Sequence, residues 1–186
     1  MKILAISGSL RAASLNSALL RAVARLAPDD IDVVIYSGLG DLPLFNPDIE
    51  ASDPSAVANL RMEVTSADAL LIASPEYAHG VSGVMKNALD WMVGSEAFMH
   101  KPVALLNASP RATHAQASLR ETILMMSACI VEEASIAIPM LGSGLSEDEI
   151  VIHPDFSVSL LAALIALRVF VDNACTEIAA TPPVHA

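Results

Sequence analysis

Cysteine is nearly missing from this chain: Cys129 and Cys175 are the two in 186 residues. They stand far apart and form no C-x-x-C pair. That excludes a disulfide framework and a zinc knuckle, and it fits a reducing, cytoplasmic setting. Positive charge is scarce too, with 10 Lys and Arg against 21 Asp and Glu, a net charge of −11. A surface of that sign repels nucleic acid and anionic lipid, so neither is an expected partner. The glycines complete neither a G-x-G-x-x-G fingerprint nor the G-K-[ST] ending of an ATP-type loop. His79, His100, His114, His153 and His185 are scattered, and no metal spacing, catalytic triad or carboxylate pair is present. The apolar run from Phe156 to Val171 falls short of the roughly 20 residues of a membrane span and contains Arg168. It reads as a long buried helix whose remaining face suits a subunit interface. The apolar stretch Ile3 to Ile6 is too short for a signal peptide and reads as a first strand.

What is present is apolar: 54% of the residues are hydrophobic and 17% charged. That is enough to build one core, expected over residues 1–180, with 181–186 as a flexible tail. Short apolar runs alternate with helical stretches, the rhythm of βαβ units around a parallel sheet. Strands are expected at Lys2 to Ile6, Ile31 to Tyr36, Ala69 to Ala73, Val103 to Asn107 and, in broken form, Cys129 to Ile138. Helices are expected at Ser14 to Leu26, Pro54 to Ser66 (capped by Asp53), Ser82 to Met92, Thr113 to Ser127 and over the final apolar run. A loop spans Leu39 to Glu50. Five strands in alternation with helices predict an α/β, flavodoxin-like three-layer sandwich with a five-stranded parallel sheet of order 2-1-3-4-5. Ligands of such sheets sit beyond the carboxyl ends of the strands, near the switch in strand order.

The loop after the first strand runs from Ser7 to Ser17. It combines hydroxyls at Ser9, Ser14 and Ser17, the cation of Arg11 and the start of a helix. Unpaired N–H groups, the helix dipole and a guanidinium make a cradle for a monophosphate. The same residues also suit an ordinary capped turn. The loop after the third strand runs Ser74-Pro75-Glu76-Tyr77-Ala78-His79-Gly80. Pro75 stiffens it, Tyr77 offers a flat face, and Gly80 with Gly83 lets backbone approach a planar ligand. Lys86 and Asp90, four apart, read equally well as a helix-surface pair.

Gly8-Ser9-Leu10-Arg11 with Ser14 and Asn16, followed by Pro75-Glu76-Tyr77 with Gly80, Gly83, Lys86, Asn87, Ala88, Leu89, Asp90 and Trp91, resembles the NADPH-dependent FMN reductase family. The family includes quinone, azo-dye and chromate reductases. The resemblance implies non-covalent FMN, with its phosphate on Ser9, Arg11, Ser14, Asn16 and Ser17 and its ring against Pro75, Glu76, Tyr77, His79 and Gly80. It implies NAD(P)H as co-substrate and a small-molecule acceptor reduced in a ping-pong scheme. No side chain is then assigned a catalytic role, because the flavin carries the chemistry. A homodimer or dimer of dimers is also implied. Beyond Asn107 the likeness fades. The family's glycine-rich third loop is replaced by Asn107-Ala108-Ser109-Pro110-Arg111, where Pro110 forbids positive φ. Ser109 and Arg111 are expected at the pyrimidine side of the ring, with Arg111 near N1 and the C2 carbonyl. An altered pocket or loss of flavin binding are the other outcomes. A flavodoxin-type electron carrier and a non-catalytic relative remain the alternatives at this stage.

Overall fold

The computed structural model describes residues 1–140 and 142–180, with side chains described as far as residue 174. The expected tail at 181–186 lies outside the described residues. Strands β1 (Lys2–Ser7), β2 (Asp32–Tyr36), β3 (Ala69–Ala73), β6 (Pro102–Leu106) and β7 (Cys129–Ile130) form one sheet. Its order is β2-β1-β3-β6-β7, with every pair parallel. Counting sheet strands alone, this is the expected 2-1-3-4-5. The two extra strands, β4 (Glu76–Tyr77) and β5 (Gly80–Val81), pair antiparallel as a hairpin. The sequence reading treated that stretch as loop, since two-residue strands carry no periodicity.

β3 and β6 are buried along their whole length. That burial on both faces is why they read as unbroken apolar runs. One face packs on α1 (Leu15–Leu26) and α6 (Pro154–Ala180), through Leu19, Val23, Leu160, Leu164 and Leu167. The other packs on α2 (Ser55–Ser66), α3 (Gly83–Met92) and α4 (Thr113–Met125), through Leu60, Val64, Met85, Leu89 and Ile123.

Two expectations need correction, the Asp53 cap and the length of the last helix, and two gain detail. Asp53 does not cap α2: it sits in the left-handed region at φ 43° and its carboxylate pairs with Arg61 at 3.0 Å. The residue before α2 is Pro54, whose carbonyl accepts from Val57 and Ala58. The expected fifth strand stops at Ile130, and Asn107 and Ala137 later rejoin the ladder through a single bridge. Between them Ser135 Oγ accepts the Leu105 N–H at 3.1 Å and donates to the Val131 carbonyl, standing in for ladder bonds. The expected loop at Leu39 to Glu50 contains 3-10 turns at Gly38–Asp41 and Pro47–Ser52. Finally, the apolar helix is longer than its apolar core. Its stretch Pro154–Ala174 reaches 21 residues with a mean hydropathy of 1.8, long enough by length and composition to cross a membrane. In the fold its Leu160, Ala163, Leu164, Leu167 and Val171 are buried, and Arg168 pairs with Asp30.

A short helix, α5 (Glu147–Ile152), went unpredicted although its start is written in the sequence. Ser146 and Glu149 form a reciprocal capping box, a pattern legible as S-x-x-E.

Candidate functional site

The site grows from the ends of β1, β3 and β6, on the switch between β1 and β3. Gly8 makes the first turn possible. A Cβ there would lie 2.4 Å from Ser74 Oγ, 2.8 Å from Ser74 Cβ and 3.0 Å from Ser82 Oγ. The Gly8 N–H donates to the Ala73 carbonyl at 2.8 Å, and Ser82 Oγ donates to the Gly8 carbonyl at 2.6 Å. Buried Ser82 also caps α3 by accepting the Met85 N–H. It thus locks the first loop to the second, a role the sequence reading missed. Beyond Gly8, Ser7 Oγ lies 2.8 Å from Ser17 Oγ and accepts the Ser9 N–H, and Ser14 Oγ caps α1 through the Ser17 N–H at 3.3 Å.

The second loop folds back as the β4–β5 hairpin. A two-residue hairpin turn favours positive φ at both central residues. Ala78 at 48° and His79 at 59° supply it, while neither Gly80 nor Gly83 adopts positive φ. A Cβ on Gly83 would meet nothing within 4 Å, so packing does not require glycine there. The hairpin docks on the start of α4. Glu76 Oε2 accepts the Ala115 N–H at 2.9 Å, supplying the cap that Ala112 lacks, and His79 stacks on His114 with ring centroids 4.3 Å apart. Glu76 thus holds the start of α4 with Oε2 while it lines the cavity described below. Left-handed residues with a Cβ cost about 1–2 kcal/mol each. Ala78→Gly is expected to raise stability by about 0.5–1 kcal/mol, read as a higher urea midpoint at unchanged slope. An unchanged or lower midpoint would show the turn to be unstrained.

The third loop takes its shape from Asn107, not from glycine. The Asn107 side chain accepts the Ser109 N–H at 2.9 Å and reaches toward the Ala112 carbonyl at 3.5 Å. Pro110 is exposed and does not line the cavity beside this turn.

That cavity, of about 320 Å³, is lined by Asn16, Pro75, Glu76, Tyr77, Ser109 and Arg111 among the expected residues. Leu15, Ser74, Asn107, Ala108 and Ala112 complete the wall. Arg11 and Ser14 line an adjoining cavity instead, and Ser9, Ser17, His79 and Gly80 line neither. Ser17 is tied to the loop by the bonds just described.

Two features show what the cavity accepts. Asn16 is 8% exposed, and its Oδ1 has no hydrogen-bond partner. A buried orphan acceptor costs about 1–3 kcal/mol, so it awaits a donor. The second feature is charge. Of the 10 basic residues, Lys2, Arg21, Arg25, Arg61, Lys86, Arg120 and Arg168 pair with carboxylates, and Lys101 donates to the carbonyls of Thr65 and Ala67. Among the described residues this leaves Arg11 and Arg111 as the cations whose side chains have no partner. Both stand at the cavities beyond the strand ends. An apolar slot with an orphan amide oxygen, one free guanidinium in its wall and another on the adjoining cavity fits a flat ring carrying a polyhydroxyl chain and a phosphate.

The model of the NADPH-dependent FMN reductase family matches residues 1–141. The chain belongs to that family. It is 39% identical to the NAD(P)H-dependent FMN reductase PA1204 of Pseudomonas aeruginosa over 132 residues, 68% of this chain and 71% of that protein. It is 40% identical to a quinone reductase of Pseudomonas putida over 111 residues, covering 58% and 59% of the two chains. That alignment spans less than two thirds of the quinone reductase. Among solved structures, the flavoenzyme NAD(P)H:(acceptor) oxidoreductase FerB of Paracoccus denitrificans superimposes with a TM-score of 0.65. It is 28% identical, over 96% of this chain and 97% of FerB. As a member of the family the protein is an FMN-dependent oxidoreductase that uses NAD(P)H.

Proposed function

We propose that the chain holds FMN non-covalently in the 320 Å³ cavity and passes two electrons from NAD(P)H to a small quinone-type acceptor. The observation that carries this reading is the orphan Asn16 Oδ1 in the cavity that Arg111 also lines, with the unpartnered Arg11 on the adjoining cavity. FMN, when bound, accepts hydride from the nicotinamide and yields it to the acceptor. The protein binds, orients and excludes water. Ser9, Arg11, Ser14 and the N-terminal turn of α1 take the phosphate. Asn16 accepts from a ribityl hydroxyl. Pro75, Tyr77 and the hairpin backbone around Gly80 flank the ring. Ser109 and Arg111 meet its pyrimidine edge. Tyr77, 60% exposed at the cavity mouth, would border the opening through which the nicotinamide and then the acceptor reach bound FMN. Sharing that face makes the two half-reactions alternate.

The same reading places the protein in the cytoplasm as a homodimer or dimer of dimers, without nucleic acid or membrane partners. The net charge of −11 supports the latter. The exposed stripe Val158, Leu161, Ile165 and Val169 on α6 supports a subunit contact. The test is a titration of FMN into stripped protein, followed by steady-state kinetics and light scattering. A Kd near micromolar or below, worth about 8 kcal/mol, with parallel double-reciprocal lines for NAD(P)H and benzoquinone, is expected. No binding at high micromolar FMN, intersecting lines or a monomeric mass would each overturn the corresponding part.

A further inference from the structure

A groove of about 300 Å³ is lined by residues of β2, the turn that follows it, α2 and Leu4 of β1. None of them borders the cavities at the flavin loops. Tyr36 ends β2, and its ring joins the core of Leu39, Val57 and Leu60. Tyr36 lines the groove and is 8% exposed, yet its hydroxyl has no hydrogen-bond partner. Gly38 leaves room for that hydroxyl, since a Cβ there would stand 2.7 Å from it. Burial, with Asp41 and Glu63 adding to it, pushes the Tyr36 hydroxyl above the ordinary tyrosine range, so the phenol stays neutral. A buried polar atom without a partner destabilises the fold unless something else bonds to it.

We propose that this groove binds the primary ammonium group of a small organic amine, whose N–H groups donate to Tyr36 Oη, the Asp41 carboxylate and Glu63 Oε1. The charged side chains that line the groove, Asp41 and Glu63, are both carboxylates. Lys2 Nζ donates to Glu63 Oε2 at 3.1 Å, which offsets one charge and leaves Oε1 without a bond. Asp41 has no hydrogen bond or ion pair among the described residues. An ammonium brings three donors and no acceptor, matching three oxygens that lack a donor, and bonds to an ionised partner are the stronger kind. Val34 and Ile35, with Leu4, give the groove an apolar part for the aliphatic chain. Its volume lies at the small end of ligand pockets. A metal ion fits less well: among the described residues no three His, Cys, Asp or Glu side chains come together. The inference stands apart from the flavin reading, because the two sites share no residue.

The probe is n-butylammonium chloride, titrated into the protein as purified and followed by NMR. Saturable shifts are expected at the amides of Ser37, Gly38 and Asp41 and at the side-chain amide of Asn59, which also lines the groove, with a Kd of about 1 mM or tighter. Tetramethylammonium, equal in charge but without an N–H donor, is expected to bind at least about tenfold more weakly. Tyr36→Phe removes the orphan hydroxyl and keeps the ring. It is expected to weaken butylammonium about tenfold, while the thermal midpoint without ligand holds or rises because an unsatisfied group has gone. Asp41→Asn, a change on an exposed turn that leaves the core untouched, is expected to weaken it to a similar degree. Absence of saturable shifts, equal affinity for tetramethylammonium, or wild-type affinity in either variant would overturn the proposal.

Discussion

Gly8→Ala is expected to abolish FMN binding at micromolar concentrations while leaving a folded, destabilised protein. The added Cβ would stand 2.4 Å from Ser74 Oγ and 2.8 Å from Ser74 Cβ. The second of these is the decisive contact, because the Oγ can rotate away and the Cβ cannot. Either β1 or β3 must then give at its carboxyl end, or the Ser82–Gly8 bond of 2.6 Å must break. Overpacking of this kind costs about 1–3 kcal/mol. The same movement displaces the first loop from the second, and the phosphate and ring contacts no longer share one geometry. A loss of at least about a hundredfold in FMN affinity is expected, close to 3 kcal/mol. Fluorescence titration reads the affinity and urea unfolding the stability. An alanine variant with wild-type Kd would show that the two loops are not coupled through this glycine. Ser82→Ala offers an independent check: it removes the hydroxyl bridge without adding bulk, and a smaller loss in the same direction is expected.

The second large effect concerns the flavin's potential. Arg111 lines the cavity and has no partner among the described residues. A fixed cation at the pyrimidine edge stabilises the reduced, anionic ring over the oxidised one. Arg111→Ala should therefore lower the two-electron midpoint by about 30 mV, equivalent to about 1.4 kcal/mol for a two-electron couple. The figure is kept to this size because the side chain is exposed and screened by water. A lower potential makes the oxidative half-reaction easier and the reductive one harder, so NADH reduction should slow relative to quinone reoxidation. Dye-equilibrated titration of the bound flavin measures it. An unchanged midpoint would place Arg111 away from the ring. Arg111→Lys separates charge from shape: it should recover most of the potential if charge alone matters.

Much of the fold was legible along the chain because parallel strands buried on both faces leave unbroken apolar runs. β3 and β6 were readable for that reason, and helices were readable where caps such as Ser14 and Ser82 stand at their starts. The elements that were not legible are short or held by distant atoms. The hairpin of residues 76–81 has two-residue strands, too few for a period. The broken last strand depends on Ser135, whose hydroxyl substitutes for backbone partners on β6. Pro54 and Asp53 were assigned one position too early because Arg61, a turn and a half into α2, captures the Asp53 carboxylate.

The site divides the same way. Residue types pointed to Arg11, Tyr77 and Arg111, and the family resemblance added Asn16; the same types also suit a capped turn or a solvated surface, so the residues alone did not decide between them. Sequence also showed that the third loop lacks glycine. It did not show the consequence, since an Asn107 side chain can replace a glycine turn only if its own backbone is held, here by bonds to Ile136 and Ile138. Likewise the sequence did not show that Glu76, besides lining the cavity, holds the N-terminus of α4 through one carboxylate oxygen. Composition and local pattern determined the sheet, its order and the chemistry of its loops, because burial and capping act over a few residues. Tertiary structure decided which of those side chains remain free for a ligand. That depends on every other donor and acceptor first finding its partner, and most of those partners lie far along the chain.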